Sequence, residues 1–172
     1  MNFRRRPLIV FAKGDDNVKK IGSLILSILI PLGVGALSGY LTRDGIELFG
    51  ELNKPPLSPP AAVFPVVWTI LYALMGVSAW LIANSDADTG SKKSALIIYG
   101  IQLAVNFFWS IIFFTLEMYL AAFFWLAFLW IWVYIMIKEF GRISKTAAIL
   151  QIPYILWLTF AAYLNLGVYF LN

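Results

Sequence analysis

The sequence predicts an all-α integral membrane protein, a bundle of five transmembrane helices. Apolar residues make up 61% of the 172 residues, and charged residues only 13%. Five segments without any charged residue, each at least 20 residues long, span 21–42, 61–85, 94–116, 118–137 and 146–172. About 20 helical residues cross a hydrocarbon core about 30 Å thick. Transmembrane strands are not expected, because no alternation of apolar and polar residues recurs.

The chain is predicted to divide into a basic tail, residues 1–20, and a five-helix transmembrane domain, residues 21–172. The predicted helices are about 21–42, 61–83, 94–115, 119–139 and 146–171, and residues 43–60 form the one long loop. The tail is highly charged and no small-residue cleavage pattern follows the first apolar segment. We therefore expect that segment to be a transmembrane helix and not a cleaved signal peptide.

The distribution of basic residues predicts the orientation in the membrane. Of the 13 Lys and Arg residues, all except Arg43 and Lys54 fall on one side of the five-helix arrangement. The positive-inside rule places that side, with the N-terminus, in the cytoplasm, and the long loop and the C-terminus outside. The net charge of +4 needs no nucleic-acid partner. The tail is interpreted as a topology signal, with contact to anionic lipid as the alternative.

The residue types inside the predicted helices limit the possible chemistry. The chain has no Cys and no His, which removes thiolates, the commonest metal ligand and the commonest general base. The uncharged segments also supply no carboxylate or lysine. We therefore predict no metal, no cofactor and no certain catalytic residue; acid–base catalysis would have to use loop residues such as Glu51 or Glu117.

A rigid segment, "NKPPLSPP" at 53–60, precedes the second predicted helix; we call it the strap. Proline removes a backbone donor and biases the preceding residue toward extended geometry, so the strap should be stiff and extended. Such a segment can act as a lid over the end of a bundle. It can equally be a plain turn that sets the direction of the next helix, and the residues alone leave both open.

Three predicted helices carry stripes with the spacing i, i+4, i+7, which places the residues of each stripe on one face. The stripes are Trp68, Tyr72 and Met75; Gln102, Asn106 and Trp109; and Trp157, Ala161 and Leu164. Aromatic stripes in membrane helices are commonly packing surfaces or interfacial belts. The amides of Gln102 and Asn106 need partners within the bilayer. They either tie helices together or bind a ligand inside the bundle, and a flat, largely apolar ligand would suit such an interior.

The chain resembles the translocator protein family, also called tryptophan-rich sensory proteins or peripheral-type benzodiazepine receptors. The similarity covers about 25–172 and rests on "NKPPLSPPAAVF" and "VWTILYALMG" within 53–76, "QLAVNFFWSIIFF" at 102–114 and "PYILWLTFAAYLN" at 153–165. The resemblance implies a five-helix bundle with a pocket under the first long loop. It also implies binding of porphyrins, sterols and isoquinoline or benzodiazepine drugs.

The resemblance also implies which residues line the pocket. These are Gly39, Thr42, Trp68, Asn106, Trp109, Trp157, Ala161 and Leu164, with the strap as the lid. Tyr72 and Gln102 are added as candidates from the stripes. Leu57, held between two Pro pairs, stands where the family usually has an aromatic residue; we expect it to point toward the pocket mouth, above Trp68 and Trp157.

Three functions follow as alternatives from the resemblance. The chain is a receptor or sensor for porphyrins and similar flat hydrophobic ligands, or an enzyme that degrades porphyrin with light or an oxidant, or a translocator of tetrapyrroles or lipids. In the enzyme, Trp68 and Trp157 would be electron or radical partners. A homodimer is also predicted, through the third helix, where Gly100 and Ala104 have small-xxx-small spacing and Ala95 lies a turn before them.

Overall fold

The computed structural model describes the backbone of residues 10–172 and the side chains of residues 17–172. Its helices are α1 (Val10–Leu41), α2 (Arg43–Glu51), α3 (Val63–Ala83), α4 (Thr89–Ser110), α5 (Tyr119–Ile143), α6 (Lys145–Ile149) and α7 (Ile152–Leu171). α4 continues without interruption into a π-helical turn, Ile111–Thr115. The described residues contain no β-strand.

Within the described part of the chain, five helical stretches are long and apolar enough to cross a membrane, and together they make the chain an integral, multi-pass membrane protein. They are Asn17–Leu41, Val63–Ala83, Thr89–Thr115, Tyr119–Ile143 and Lys145–Leu171. The predicted five-helix bundle is therefore confirmed. The ends of the predicted helices agree with the structure to within about five residues except at the first helix.

Two predicted boundaries are wrong. α1 begins at Val10, inside the predicted tail 1–20, of which residues 1–9 lie outside the described part of the chain. The sequence contains a reason for the early start: Asp15 and Asp16 precede Lys19 and Lys20 by four residues, a spacing that favours helix. The predicted loop 43–60 also contains α2, nine residues long, so only its second half lacks helix.

The fifth transmembrane segment is interrupted between α6 and α7. Pro153 occupies the first turn of α7, where its missing N–H costs nothing but its ring would clash with a continuous helix. α6 is capped by Ser144, which accepts from the backbone N–H of Ala147 at 3.3 Å. At the same end of the bundle Asp88 caps α4, and hydrogen bonds from Ser91 hold the pKa of its carboxyl below the ordinary value.

α1 and α3 pack with their backbones in close contact. A methyl group added to Gly76 would lie 2.5 Å from Cα of Ile28 and 2.6 Å from the carbonyl oxygen of Ser27. In a regular helix the carbonyl of Ser27 would accept a hydrogen bond from the N–H of residue 31. That residue is Pro31, which has no N–H, so the carbonyl lacks its usual partner within α1. The small residue therefore lets α3 approach the point where α1 has lost a backbone hydrogen bond.

α5 packs against α4 and α7 on the other side of the bundle. Its buried residues recur every three or four positions, as expected for one face of a helix: Leu126, Leu129, Val133, Met136 and Phe140. Trp125 adds a polar contact by donating its indole N–H to the backbone carbonyl of Val105 on α4, at 2.8 Å. This packed side leaves the space between α1, α3, α4 and α7 less completely filled.

Only two of the three residues predicted to form the dimer contact, Gly100 and Ala104, are exposed on the surface of the subunit. Gly100 and Ala104 are exposed on α4, with Ile97 and Phe108 exposed on either side of them. Ala95 is 1% exposed and packs inside the subunit, so its inclusion in the contact face is wrong. Five residues of helix turn through about 500°, which rotates Ala95 away from the side that Gly100 faces.

Candidate ligand-binding site

A cavity of about 650 Å³ lies between four of the five membrane-spanning helices, under α2 and the strap. Its walls come from α1, α3, α4 with the π-helical turn, and α7, and among the described residues α5 contributes nothing to it. The volume falls within the range of roughly 300–1,000 Å³ typical of small-molecule sites. The wall is mostly apolar and aromatic, as expected for a site that takes a flat apolar molecule.

Nine of the predicted site residues line this cavity: Gly39, Thr42, Trp68, Tyr72, Asn106, Trp109, Trp157, Ala161 and Leu164. They come from four helices that are far apart in sequence. The structure therefore brings together the stripes of the second, third and fifth transmembrane segments and the last turns of the first. Leu57 and Gln102 are the two predicted residues outside the lining.

The expectation that Leu57 points toward the mouth of the cavity is wrong. Its side chain is 82% exposed and does not contribute to the lining. The reason is a tight turn in which the N–H of Ser58 donates to the carbonyl of Pro55 at 3.3 Å, with Leu57 at φ 67°. Proline at the second position and positive φ at the third is the pattern of a type II turn, and the left-handed conformation turns the side chain outward.

Gln102 lies behind the cavity wall, in a chain of hydrogen bonds that begins at the cavity. Tyr72 donates its hydroxyl to Oδ1 of Asn106 at 3.3 Å, and Nδ2 of Asn106 donates to the hydroxyl of Tyr154 at 2.6 Å. Tyr154 in turn donates to Oε1 of Gln102 at 3.1 Å. These groups connect α3, α4 and α7 in the apolar interior. Both amides already have protein partners, which favours the role of tying helices together over that of binding ligand.

A second polar contact fixes the wall formed by α4. Trp109 donates its indole N–H to Oδ1 of Asn165 at 3.4 Å, and Nδ2 of Asn165 donates to the backbone carbonyl of Tyr119 at 2.8 Å. The indole ring also stacks on Phe113, with centroids 5.2 Å apart. The wider π-helical turn lets the consecutive residues Phe113 and Phe114 both line the cavity.

Two groups on the cavity wall lack hydrogen-bond partners among the described residues. They are the indole Nε1 of Trp157 and the hydroxyl of Ser38, both buried. A buried donor without a partner costs about 1–3 kcal/mol. Both atoms are covered by protein, so neither is exposed to the cavity itself. The ring of Trp157 is held by an edge contact with Phe64, with centroids 5.9 Å apart.

Sequence reasoning missed several lining residues in and around α2, above all Phe49 and Lys54. Phe49 packs on Phe113 and Phe114 with centroid distances of 5.6 and 5.7 Å. Its signal was the three-residue spacing of Ile46 and Phe49 in "RDGIELFGE", which is typical of one face of a short amphipathic helix. Lys54 lies in the strap, outside the uncharged segments, and no periodic pattern there indicates that it lines the cavity.

The strap is fastened to α7 at three points. Tyr163 donates its hydroxyl to the carbonyl of Pro56 at 2.7 Å. Asn53 and the side chain of Asn172 exchange two hydrogen bonds, each 3.0 Å long. Pro55 packs against Gly167, where an added methyl group would lie 2.5 Å from the proline ring. The strap thus closes one end of the cavity in a defined position.

Neither metal ligation nor acid–base chemistry is supported by the cavity wall. Among residues 17–172 no group of three or more carboxylate side chains is arranged to hold a metal ion, and the sequence supplies no His or Cys. The lining contains one charged residue, Lys54, at the strap. The arrangement is suited to bind a flat apolar molecule between aromatic rings.

Comparison with known proteins gives the relatives of the chain. Residues 27–171 match the TspO/MBR family. The chain is 34% identical to the tryptophan-rich protein TspO of Chlorobaculum tepidum, over 90% of this chain and 98% of that protein. It is 35% identical to the tryptophan-rich sensory protein of Cereibacter sphaeroides, over 87% of this chain and 92% of that protein. It is 33% identical to the translocator protein of Ovis aries, over 80% of this chain and 82% of that protein.

Proposed function

The chain belongs to the TspO/MBR family, and from this premise we propose that it is a membrane receptor or sensor for porphyrins and similar flat hydrophobic molecules. Sterols and isoquinoline or benzodiazepine drugs are further candidate ligands. The ligand would lie in the cavity under α2 and the strap. The protein would report the ligand through the position of the strap, which forms part of the cavity wall.

The observation that carries this proposal is the aromatic wall of the 650 Å³ cavity. Trp68 and Trp157 contribute from the neighbouring helices α3 and α7, where the Phe64 ring contacts Trp157 and the Trp68 ring contacts Tyr154. Stacked or edge-on aromatic contacts add roughly 0.5–1.5 kcal/mol each to the free energy from apolar burial. An aromatic wall with two indole rings therefore favours a flat, conjugated molecule over a flexible one.

Fluorescence titration of the purified protein with free-base protoporphyrin tests the proposal. We expect saturable binding that Trp68→Leu and Trp157→Leu each weaken by about 2- to 12-fold. Trp130→Leu is the matched control, because Trp130 lies on α5 and does not line the cavity. Binding that does not saturate, or that all three variants affect equally, would overturn the proposal.

A second candidate function, oxidative breakdown of bound porphyrin, is favoured by one cluster of rings. The ring centroid of Trp68 lies 5.5 Å from that of Tyr72 and 6.2 Å from that of Tyr154. Adjacent indole and phenol rings are suitable electron or radical partners for an excited ligand. Under illumination with protoporphyrin, product formation that Trp68→Phe and Trp157→Phe abolish would identify an enzyme. Tight binding without turnover would identify a receptor, and ligand flux into sealed vesicles a translocator.

We also propose the orientation with the N-terminus in the cytoplasm and the strap and C-terminus outside. The support is the charge asymmetry, with Arg43 and Lys54 the only basic residues at the strap end of the transmembrane helices. The chain has no native cysteine, so single cysteines report without background. In intact cells, an impermeant thiol reagent should label Ser58→Cys and leave Ser91→Cys unlabelled. The reverse pattern would overturn the orientation.

A further inference from the structure

Among the side chains of residues 17–172, one charged group lies in the cavity wall, the ammonium of Lys54. Every other lining residue is apolar or uncharged. The ammonium is held in place by two contacts with α2: it donates to the carbonyl of Gly50 at 3.1 Å, and it lies 5.0 Å from the centroid of the Phe49 ring. Lys54 is an exposed residue, so the cavity has a positive, solvent-accessible end beside the strap.

The ammonium has no anionic partner among the side chains of residues 17–172. The ion pairs there are Arg43 with Asp44 and Arg142 with Glu139, and no carboxylate lies within 4.0 Å of Lys54. An ammonium carries three donors, and the bond to Gly50 uses one. Two donors remain for a bound molecule. Because the existing contacts already order the side chain, little additional conformational entropy is lost on binding.

From this geometry we propose that Lys54 binds a carboxylate at the edge of the ligand, so that the site selects flat apolar molecules that carry an acidic group. This inference rests on the proposed function and defines its ligand class more narrowly. The apolar body would lie against the aromatic wall that Trp68 and Trp157 form, with the acidic edge at the strap. Neutral flat molecules would use the same aromatic walls without this contact.

The test compares protoporphyrin, which has two carboxylates, with its neutral dimethyl ester. In an uncharged detergent we expect Lys54→Met to weaken binding of the diacid by about 3- to 10-fold and to change binding of the ester by less than about 2-fold. Lys54→Arg should keep most of the diacid affinity. Arg43→Met is the matched control, since it removes a charge near the same end of the bundle but does not line the cavity.

The dependence of diacid affinity on salt concentration distinguishes a charge contact from a purely structural role of Lys54. If Lys54 only supported the structure, its replacement would leave this dependence unchanged. Raising the ionic strength should weaken diacid binding to the parent protein and have a smaller effect on Lys54→Met, because salt screens a partly exposed charge pair. Ester binding should be insensitive to salt in both. Ester binding also confirms that the variant is folded.

The phosphate of a lipid is another anion that could bind the ammonium of Lys54. Repeating the measurement in phosphatidylcholine nanodiscs distinguishes the ligand carboxylate from the lipid phosphate as its partner. If the difference between diacid and ester persists there, the ligand carboxylate is the partner. If it disappears in nanodiscs, or if Lys54→Met weakens diacid and ester equally, the inference is overturned. If neither porphyrin binds the parent protein with saturation, the proposed function itself fails.

Discussion

Tyr163 on α7 donates its hydroxyl to the backbone carbonyl of Pro56, 2.7 Å away in the strap. Pro56 is separated from Tyr163 by 107 positions along the chain. The bond therefore joins the strap, which precedes the second transmembrane segment, to the C-terminal half of the fifth. Removing this hydrogen bond therefore tests directly whether the strap acts as a lid.

We expect Tyr163→Phe to accelerate porphyrin dissociation by about 2- to 10-fold, because one hydrogen bond contributes roughly 0.5–1.5 kcal/mol to the closed position of the strap. Stopped-flow displacement measures the rate. Tyr134→Phe is the control, because Tyr134 lies on α5 and away from the strap. Equal dissociation rates in Tyr163→Phe and the parent protein would mean that the strap only connects helices.

Removing the central amide of the buried hydrogen-bond chain should destabilise the bundle. Asn106→Leu leaves the hydroxyl of Tyr72 without its acceptor and that of Tyr154 without one donor. We expect the free energy of unfolding in detergent to fall by about 1–3 kcal/mol without ligand. Asn84→Ala, at the exposed end of α3, should change it by less than about 1 kcal/mol. If Asn106→Leu lowered affinity while the unfolding free energy stayed unchanged, the amide would be a ligand contact.

Gly76 is expected to be intolerant of even a methyl group. In Gly76→Ala the added carbon would overlap the backbone of Ile28, so α1 and α3 would have to separate, at a cost of about 1–3 kcal/mol. Gly33→Ala is the matched control on α1, because its added methyl group meets no atom within 4 Å. The midpoint temperature of thermal unfolding should be clearly lower for Gly76→Ala than for Gly33→Ala. Equal midpoints would show that the two helices pack more loosely than described.

The exposed pair Gly100 and Ala104 tests the predicted homodimer. A side chain at Gly100 meets nothing within 4 Å inside the subunit, so Gly100→Leu should fold normally. We expect it to reduce cross-linked dimer in membranes by at least about 3-fold, since a large residue keeps helix backbones apart. Ala127→Leu, at an exposed position of α5, should have no effect. An unchanged dimer fraction in Gly100→Leu would exclude this face.

Because the side chain of Leu57 points away from the cavity, we expect its replacement to leave porphyrin affinity almost unchanged. Since the side chain is 82% exposed and does not line the cavity, Leu57→Trp should change porphyrin affinity by less than about 2-fold. Equilibrium titration measures it. A clear increase in affinity would mean that the strap changes its turn when ligand binds, which would bring residue 57 over the cavity.

The membrane-spanning helices and most of the lining residues could be predicted from the sequence, because they follow from patterns that repeat along the chain. Features that depend on the local backbone geometry of a few residues could not. Charge-free segments located the five membrane-spanning helices, and the i, i+4, i+7 stripes together with the family motifs located nine lining residues. α2 was missed because its two glycines, Gly45 and Gly50, have low helix propensity. Gly45 is needed for close approach to the carbonyl of Phe114, from which an added methyl group would be 1.9 Å away. That requirement appears only once the helices are packed.

Leu57 illustrates the same limit at a single residue. Its neighbours predicted a stiff, extended segment, and the structure has a tight turn at Pro56 and Leu57 within it. The direction of its side chain depends on φ at that one position, and non-glycine residues rarely adopt φ 67°. A proline-rich pattern restricts the proline residues themselves and the residue before each of them, but it does not choose between turn types.

The prolines of the strap also determine how its motion can be observed. Pro55, Pro56, Pro59 and Pro60 carry no amide proton, so between residues 55 and 60 only Leu57 and Ser58 can exchange hydrogen with solvent or give an amide NMR signal. An opening of the strap would therefore be nearly invisible to amide-detected methods. A carbon-13 label on the carbonyl of Pro56, or fluorine on the ring of Tyr163, would report the same event from the two ends of one hydrogen bond.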